Sequence, residues 1–175
     1  MENRIQLQPA YGLISRPFQN TSLMLDFFTI DYGRIRAIAK GARRPSSKYR
    51  SILQPFHPLL VGYTGRGEVK TLGHVESSVA AITLKGERLF SAIYLNEVLC
   101  RLLHNYVEHK LLYKNYQETL IALQGSGNLE ITLRVFELTL LSELGYAINF
   151  NEVNPTNKPI VSGELYKFSP HIGFE

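Results

Sequence analysis

The chain has 175 residues, 45% of them hydrophobic and 19% charged, with a net charge of +4. That length buries a real core, in one domain or two small ones, and 11% aromatic residues with so small a net charge exclude a disordered chain. No run approaches the roughly 20 apolar residues of a membrane span, the opening Met1-Glu2-Asn3-Arg4 lacks a signal-peptide core, and the single cysteine, Cys100, excludes an internal disulfide framework and a four-cysteine zinc site.

Residues 1–80 read as strands. Residues 6–14 are short and rich in strand formers, and residues 22–30 (SLMLDFFTI) are apolar with one aspartate. Asp31-Tyr32-Gly33 forms a turn. Residues 34–40 alternate, with Ile35, Ala37 and Ala39 on one face and Arg34, Arg36, Ile38 and Lys40 on the other. An apolar run over 56–63, the turn Thr64-Gly65-Arg66-Gly67 and a second alternating stretch over 68–76 complete five short strands, which suggests a small closed barrel.

The period changes near residue 84. Residues 89–103 carry Phe90, Tyr94, Val98 and Leu102, and beside them Leu95, Leu99 and Leu103, at helical spacing, with Glu97 and Arg101 as an i,i+4 pair. Residues 111–123 predict a second helix and 129–144 a third, capped by Asn128, with Leu133, Phe136, Leu140, Leu141 and Leu144 as its buried stripe and Gly145 just past its end. Helices joined this closely pack as a bundle. Residues 149–163 are polar, and residues 166–168 and 172–174 predict a hairpin around Ser169-Pro170-His171. The reading is an α+β chain: a barrel over 1–80, then a mainly helical part over 81–175 with a small β-hairpin near its end.

The charge is concentrated. Arg34, Arg36, Lys40, Arg43, Arg44, Lys48 and Arg50 fall within 17 residues that hold no acid, while the rest of the chain carries 12 basic against 15 acidic residues, a net of −3. Arg34, Arg36 and Lys40 share a predicted strand face; the others follow in a loop with Gly41, Pro45, Ser46 and Ser47. Cations neutralise phosphates and release counterions, and hydroxyls and backbone N–H groups add phosphate hydrogen bonds, so a polyanion partner is indicated. A solvated basic face is the plainer alternative. Tyr49, between Lys48 and Arg50, is the better candidate to stack on an unpaired base; Phe56 and Tyr63 read as barrel core.

Catalytic readings do poorly. Asp26 and Asp31 are the only aspartates, His104 and His109 do not share a helix face, and neither an HExxH nor a phosphate-binding loop occurs. Gly125-Ser126-Gly127 follows a helix and is a connecting loop. Cys100 reads as a small buried hydrophobe. Arg134 sits at pairing distance from Glu130 and Glu137, and its sharper reading is an anchor for an acidic peptide.

The runs Gly33-Arg34-Ile35-Arg36-Ala37-Ile38-Ala39-Lys40-Gly41-Ala42-Arg43-Arg44, Leu53-Gln54-Pro55-Phe56-His57-Pro58-Leu59 and Gly65-Arg66-Gly67-Glu68-Val69-Lys70-Thr71-Leu72 carry a resemblance. So do Arg16-Pro17-Phe18, Tyr94-Leu95-Asn96-Glu97, and Leu133-Arg134-Val135-Phe136-Glu137-Leu138 leading into Leu144-Gly145-Tyr146. Together, in order over nearly the whole chain, they resemble the bacterial RecO family. The resemblance implies an N-terminal OB-fold and a helical domain, with no catalysis and no cofactor. It implies binding of single- and double-stranded DNA, strand annealing, and help in loading RecA onto coated DNA. The implied partners are RecR and the acidic C-terminal tail of single-stranded-DNA-binding protein, in the nucleoid-associated cytoplasm and away from membranes. On that reading Arg34, Arg36, Lys40, Arg43, Arg44, Lys48, Tyr49, Arg50 and Arg66 are the candidate DNA-binding residues, and Arg134 and Leu138 the candidate partner site. The four-cysteine zinc site of many members is not expected here, and the helical domain is expected to be incomplete, since members usually continue further. A protein-interaction adaptor and an RNA-binding OB-fold protein remain open as alternatives.

Overall fold

The computed structural model describes residues 4–175; the opening Met1-Glu2-Asn3, which bears on the absence of a signal core, lies outside the described residues. Five strands form first: β1 (Arg4–Phe18), β2 (Ser22–Thr29), β3 (Gly33–Ala39), β4 (Pro58–Thr64) and β5 (Val69–Ser77). They close into a barrel in the order β1-β2-β3-β5-β4, with β3 and β5 parallel and the other neighbours antiparallel. This is the OB-fold arrangement, in which closure removes the sheet edges. The alternation of β3 appears as a strict burial pattern: Ile35, Ala37 and Ala39 point into the barrel while Arg34, Arg36 and Ile38 lie outside.

A four-residue helix, α1 (Tyr49–Ile52), links β3 to β4. Thus Tyr49 and Arg50 stand on a helical turn and not in an open loop, as their polar setting had implied. Three longer helices follow: α2 (Gly86–Leu102), α3 (Lys110–Gln124) and α4 (Leu129–Glu143). Asn128 caps α4, its side chain accepting a hydrogen bond from the Ile131 N–H at 3.0 Å. The predicted hairpin forms from β8 (Phe168–Ser169) and β9 (Gly173–Phe174); with β6 (Glu152–Val153) and β7 (Lys158–Pro159) it makes a small sheet in the order β7-β6-β9-β8.

Barrel and helices share a core. Tyr11, Leu13, Phe28 and Phe56 from the barrel side bury against Leu95, Leu99, Tyr113, Tyr116, Phe136 and Leu140 of the helices. Tyr116 is central: its ring meets Tyr11, Phe28 and Phe136 edge-on at centroid separations of 5.2, 6.1 and 6.2 Å, geometry that adds to burial itself. Its hydroxyl donates to Asn96 Oδ1 at 2.5 Å, and Asn96 Nδ2 donates to the Leu13 carbonyl at 2.9 Å, so the one buried amide of α2 ties β1, α2 and α3 together. Of the two apolar stripes on α2, this core takes Ala92, Leu95 and Leu99; Phe90 and Tyr94 face outward, 70% and 43% exposed.

Candidate nucleic-acid interface

The outer face of β3 is set by the strand beside it. The register places Asp26 of β2 directly opposite Arg36, and the buried carboxylate accepts from Arg36 Nε at 3.1 Å and from Arg34 Nε at 3.3 Å. A carboxylate in this position requires such partners, because an unpaired buried charge is costly. Arg34 reaches further. Its Nη1 donates to the carbonyls of Cys100 and of Leu103, the latter at 3.1 Å, where α2 ends. A cation on these terminal carbonyls satisfies their hydrogen-bonding need and complements the helix dipole.

Arg34, one of the expected DNA contacts, has its charge engaged within the fold. With a side chain only 14% exposed, it clamps α2 to the barrel. Arg36 shares the face but keeps 35% of its side chain in solvent. Lys40 lies just past the end of β3 and is exposed, as are Arg43, Arg44, Lys48 and Arg50. The connecting segment is tied down: Arg43 N–H donates to the Thr21 carbonyl at 2.8 Å and Arg44 N–H to Gly41 at 3.1 Å. The first bond seats it against the β1–β2 turn, one of the flanks that OB-folds use to grip oligonucleotides, and the second closes a turn within the segment.

Tyr49, the expected stacking residue, is also engaged by the fold. It is half-buried against the barrel core, its hydroxyl donates to the Gly73 carbonyl at 2.8 Å, and the Lys48 ammonium sits 5.8 Å from its ring centroid. These contacts anchor α1 to the barrel. Arg66 is exposed in the β4–β5 turn. The parallel register of β3 with β5 begins at Arg36 opposite Val69, so this turn adjoins the early half of β3, whereas the 40–50 segment leaves its far end. A seven-residue strand is roughly 20 Å long, so the turn holding Arg66 and the basic segment adjoin opposite ends of β3.

On the helices, Arg134 pairs with Glu137 through Nη1 and Oε2, the plainer expectation, yet its side chain stays 69% exposed. Tyr94 hydroxyl donates to the other oxygen of Glu137 at 2.9 Å, joining α2 to α4. Around this contact Phe90 and Tyr94 of α2 and Val135 and Leu138 of α4 leave apolar surface in solvent beside the Arg134 guanidinium. The helical spacing of 89–103 sets Phe90 and Tyr94 beside Leu95 and Leu99 without deciding which stripe is buried, so this surface is not legible from the sequence. Burial pushes the Cys100 thiol up to about 11, which keeps it protonated and unreactive at neutral pH. Among the described residues no group of three or more His, Cys, Asp or Glu could hold a metal ion, and no helix is long and apolar enough to cross a membrane.

Two family models match the chain: Recombination protein O N terminal over residues 1–79 and Recombination protein O C terminal over residues 84–171. The chain is 44% identical over 168 residues to the DNA repair protein RecO of Yersinia enterocolitica, covering 95% of this chain and 70% of that protein. It is 44% identical over 171 residues to the DNA repair protein RecO of Cellvibrio japonicus, covering 98% and 72%. The corresponding protein of Pseudoalteromonas atlantica is 41% identical over 163 residues, covering 93% and 68%. With both parts matched in order, on a closed barrel followed by helices, the chain belongs to the RecO family of DNA repair and recombination proteins.

Proposed function

We propose that this protein is a non-enzymatic recombination mediator that binds single- and double-stranded DNA, anneals complementary strands and helps load RecA onto coated DNA. The observation that carries the reading is the set of cations along β3: Lys40, Arg43, Arg44, Lys48 and Arg50, exposed past one end of the strand, the half-buried Arg36 on it, and Arg66, exposed in the turn near its other end. Phosphates of two strands held along this row repel each other less, so bases can meet and pair. Arg34 and Tyr49 support the row by fixing α2 and α1.

The two units, 1–80 and 81–175, act on this reading as DNA holder and partner platform, joined by their common aromatic core. The apolar surface of Phe90, Tyr94, Val135 and Leu138 beside Arg134 suits the acidic C-terminal tail of single-stranded-DNA-binding protein: the arginine takes a carboxylate while the apolar side chains take the hydrophobic ones. RecR is the second protein partner, RecA is served indirectly, and the setting is the nucleoid-associated cytoplasm. Strand annealing tests the reading. The chain should accelerate annealing of complementary oligonucleotides, Arg43→Ala with Arg44→Ala should slow it, and Arg134→Ala should slow it only when the strands are coated with single-stranded-DNA-binding protein. Annealing no faster than in buffer would overturn it.

A further inference from the structure

The outer face of β1, β2 and β3 does not end in open solvent. Beside Arg36 it runs into a cleft of about 480 Å³ between the barrel and α2. One wall carries Arg16 of β1 together with Arg34 and Arg36; the other carries Arg101 of α2. Two carboxylates face them, Asp26 and Glu97, and both are already paired, Asp26 with Arg34 and Arg36 and Glu97 with Arg101 at 2.6 Å. Four guanidiniums against two carboxylates leave the cleft with positive charge in excess. Arg16 and Arg101 are exposed, and the Arg101 side chain is 74% in solvent, so both heads can turn to a ligand. Between the charges lie apolar groups, Ile14, Pro55 and Ile93. Cationic rims around an apolar floor match a single nucleic-acid strand, whose phosphates and base faces make the same two demands.

We propose that this cleft is a second segment of the single-strand path, with Arg16 and Arg101 as phosphate contacts that nothing in the basic segment supplies. The inference rests on the DNA-binding reading above and extends it from the barrel onto the helical part. Continuity favours nucleic acid over an acidic peptide: Arg36 belongs both to the cation row of β3 and to the cleft wall, so one strand can follow both. Because Arg101 belongs to α2, a strand in the cleft touches both parts of the chain at once. The clamp of Arg34 on Cys100 and Leu103 sets the spacing between the walls.

The test is titration of a fluorescent oligothymidylate with the whole 175-residue chain over a series of salt concentrations. Each phosphate contact adds about 0.7 to the log–log salt slope on a single strand, equivalent to about fivefold in affinity at 0.1 M salt. Arg16→Ala with Arg101→Ala should therefore lower the slope by about 1.4 and the affinity by roughly 25-fold. Arg16→Lys with Arg101→Lys should restore most of both, which a merely misfolded variant would not do. If the double alanine variant binds as the parent does while Arg43→Ala with Arg44→Ala weakens binding, the cleft is off the path and the barrel reading stands. If neither pair of substitutions changes the slope, both fail. Loss of an acidic peptide's binding with oligothymidylate binding intact would also overturn the assignment.

Discussion

Asp26 and Arg34 decide how the cationic strand is used. Arg34 and Arg36 of the basic stretch share the Asp26 carboxylate, and Arg34 also holds the last carbonyls of α2. Removing Arg34 leaves Asp26 with Arg36 as its counter-charge but takes the charged donor from the α2 carbonyls, and a hydrogen bond to a charged group contributes about 1.5–3 kcal/mol. Arg34→Ala should thus lower stability by roughly 2 kcal/mol in chemical denaturation. Arg43→Ala and Arg44→Ala, on exposed side chains, should each stay within about 0.5 kcal/mol. Equal effects at the three positions would contradict the division between clamp and contact. None of this is legible from residues 34–50 alone. The alternation shows which face Arg34 takes, but its partners lie on the neighbouring strand and at a helix end 66 residues away. The available hint was Asp26 itself, a lone carboxylate in an apolar strand that must find a counter-charge.

At the scale of elements, periodicity carried most of the information. Strands β3 and β5 follow from a spacing of two and the three long helices from spacings of three to four residues, because each buries one face, while β1, β2 and β4 follow from short runs of apolar and strand-forming residues. What escaped was too short to have a period: the single turn of α1 and the two-residue strands β6 and β7. β1 also runs on to Phe18, well past its apolar stretch, because backbone pairing with β2 continues through Arg16↔Met24 and Pro17↔Leu23. On α2 two apolar stripes competed, and only packing against Tyr113 and Tyr116 decides that Leu95 and Leu99 go in while Phe90 and Tyr94 stay out. The same neighbourhood holds a tight joint. Gly33 opens β3 at φ +59°, and a Cβ there would come within 1.7 Å of the Val107 carbonyl oxygen in the α2–α3 connection. Gly33→Ala must push that connection off the barrel, so it should cost several kcal/mol, more than the roughly 1 kcal/mol of an ordinary left-handed glycine. A melting temperature unchanged by Gly33→Ala would show that the connection does not rest on the barrel.

For the whole molecule, the shared aromatic core makes stability sensitive to alkali. Burial raises the Cys100 thiol from an ordinary 9.0 to about 11 and the Tyr11 phenol from an ordinary 10.0 to about 12, and raises the Tyr113 and Tyr116 phenols well above their ordinary value. Above pH 9 the unfolded chain releases these protons first and binds fewer than the folded one, so stability falls as pH rises. The melting temperature should be level from pH 7 to about 8.5 and decline steadily toward pH 11; a flat profile across that range would remove the account of the core. The chain's net charge of +4 conceals the feature that matters more for function, a cationic row on a body of net −3. The central claim is that this row holds DNA by its phosphates. Its most direct test is the salt dependence of single-strand affinity for the parent and for a chain with Lys40, Arg43, Arg44, Lys48 and Arg50 replaced by alanine. The account predicts a log–log slope of about 0.7 per phosphate contacted, falling by that amount for each contact removed. A parent affinity independent of salt, or a slope that survives the five replacements unchanged, would contradict it.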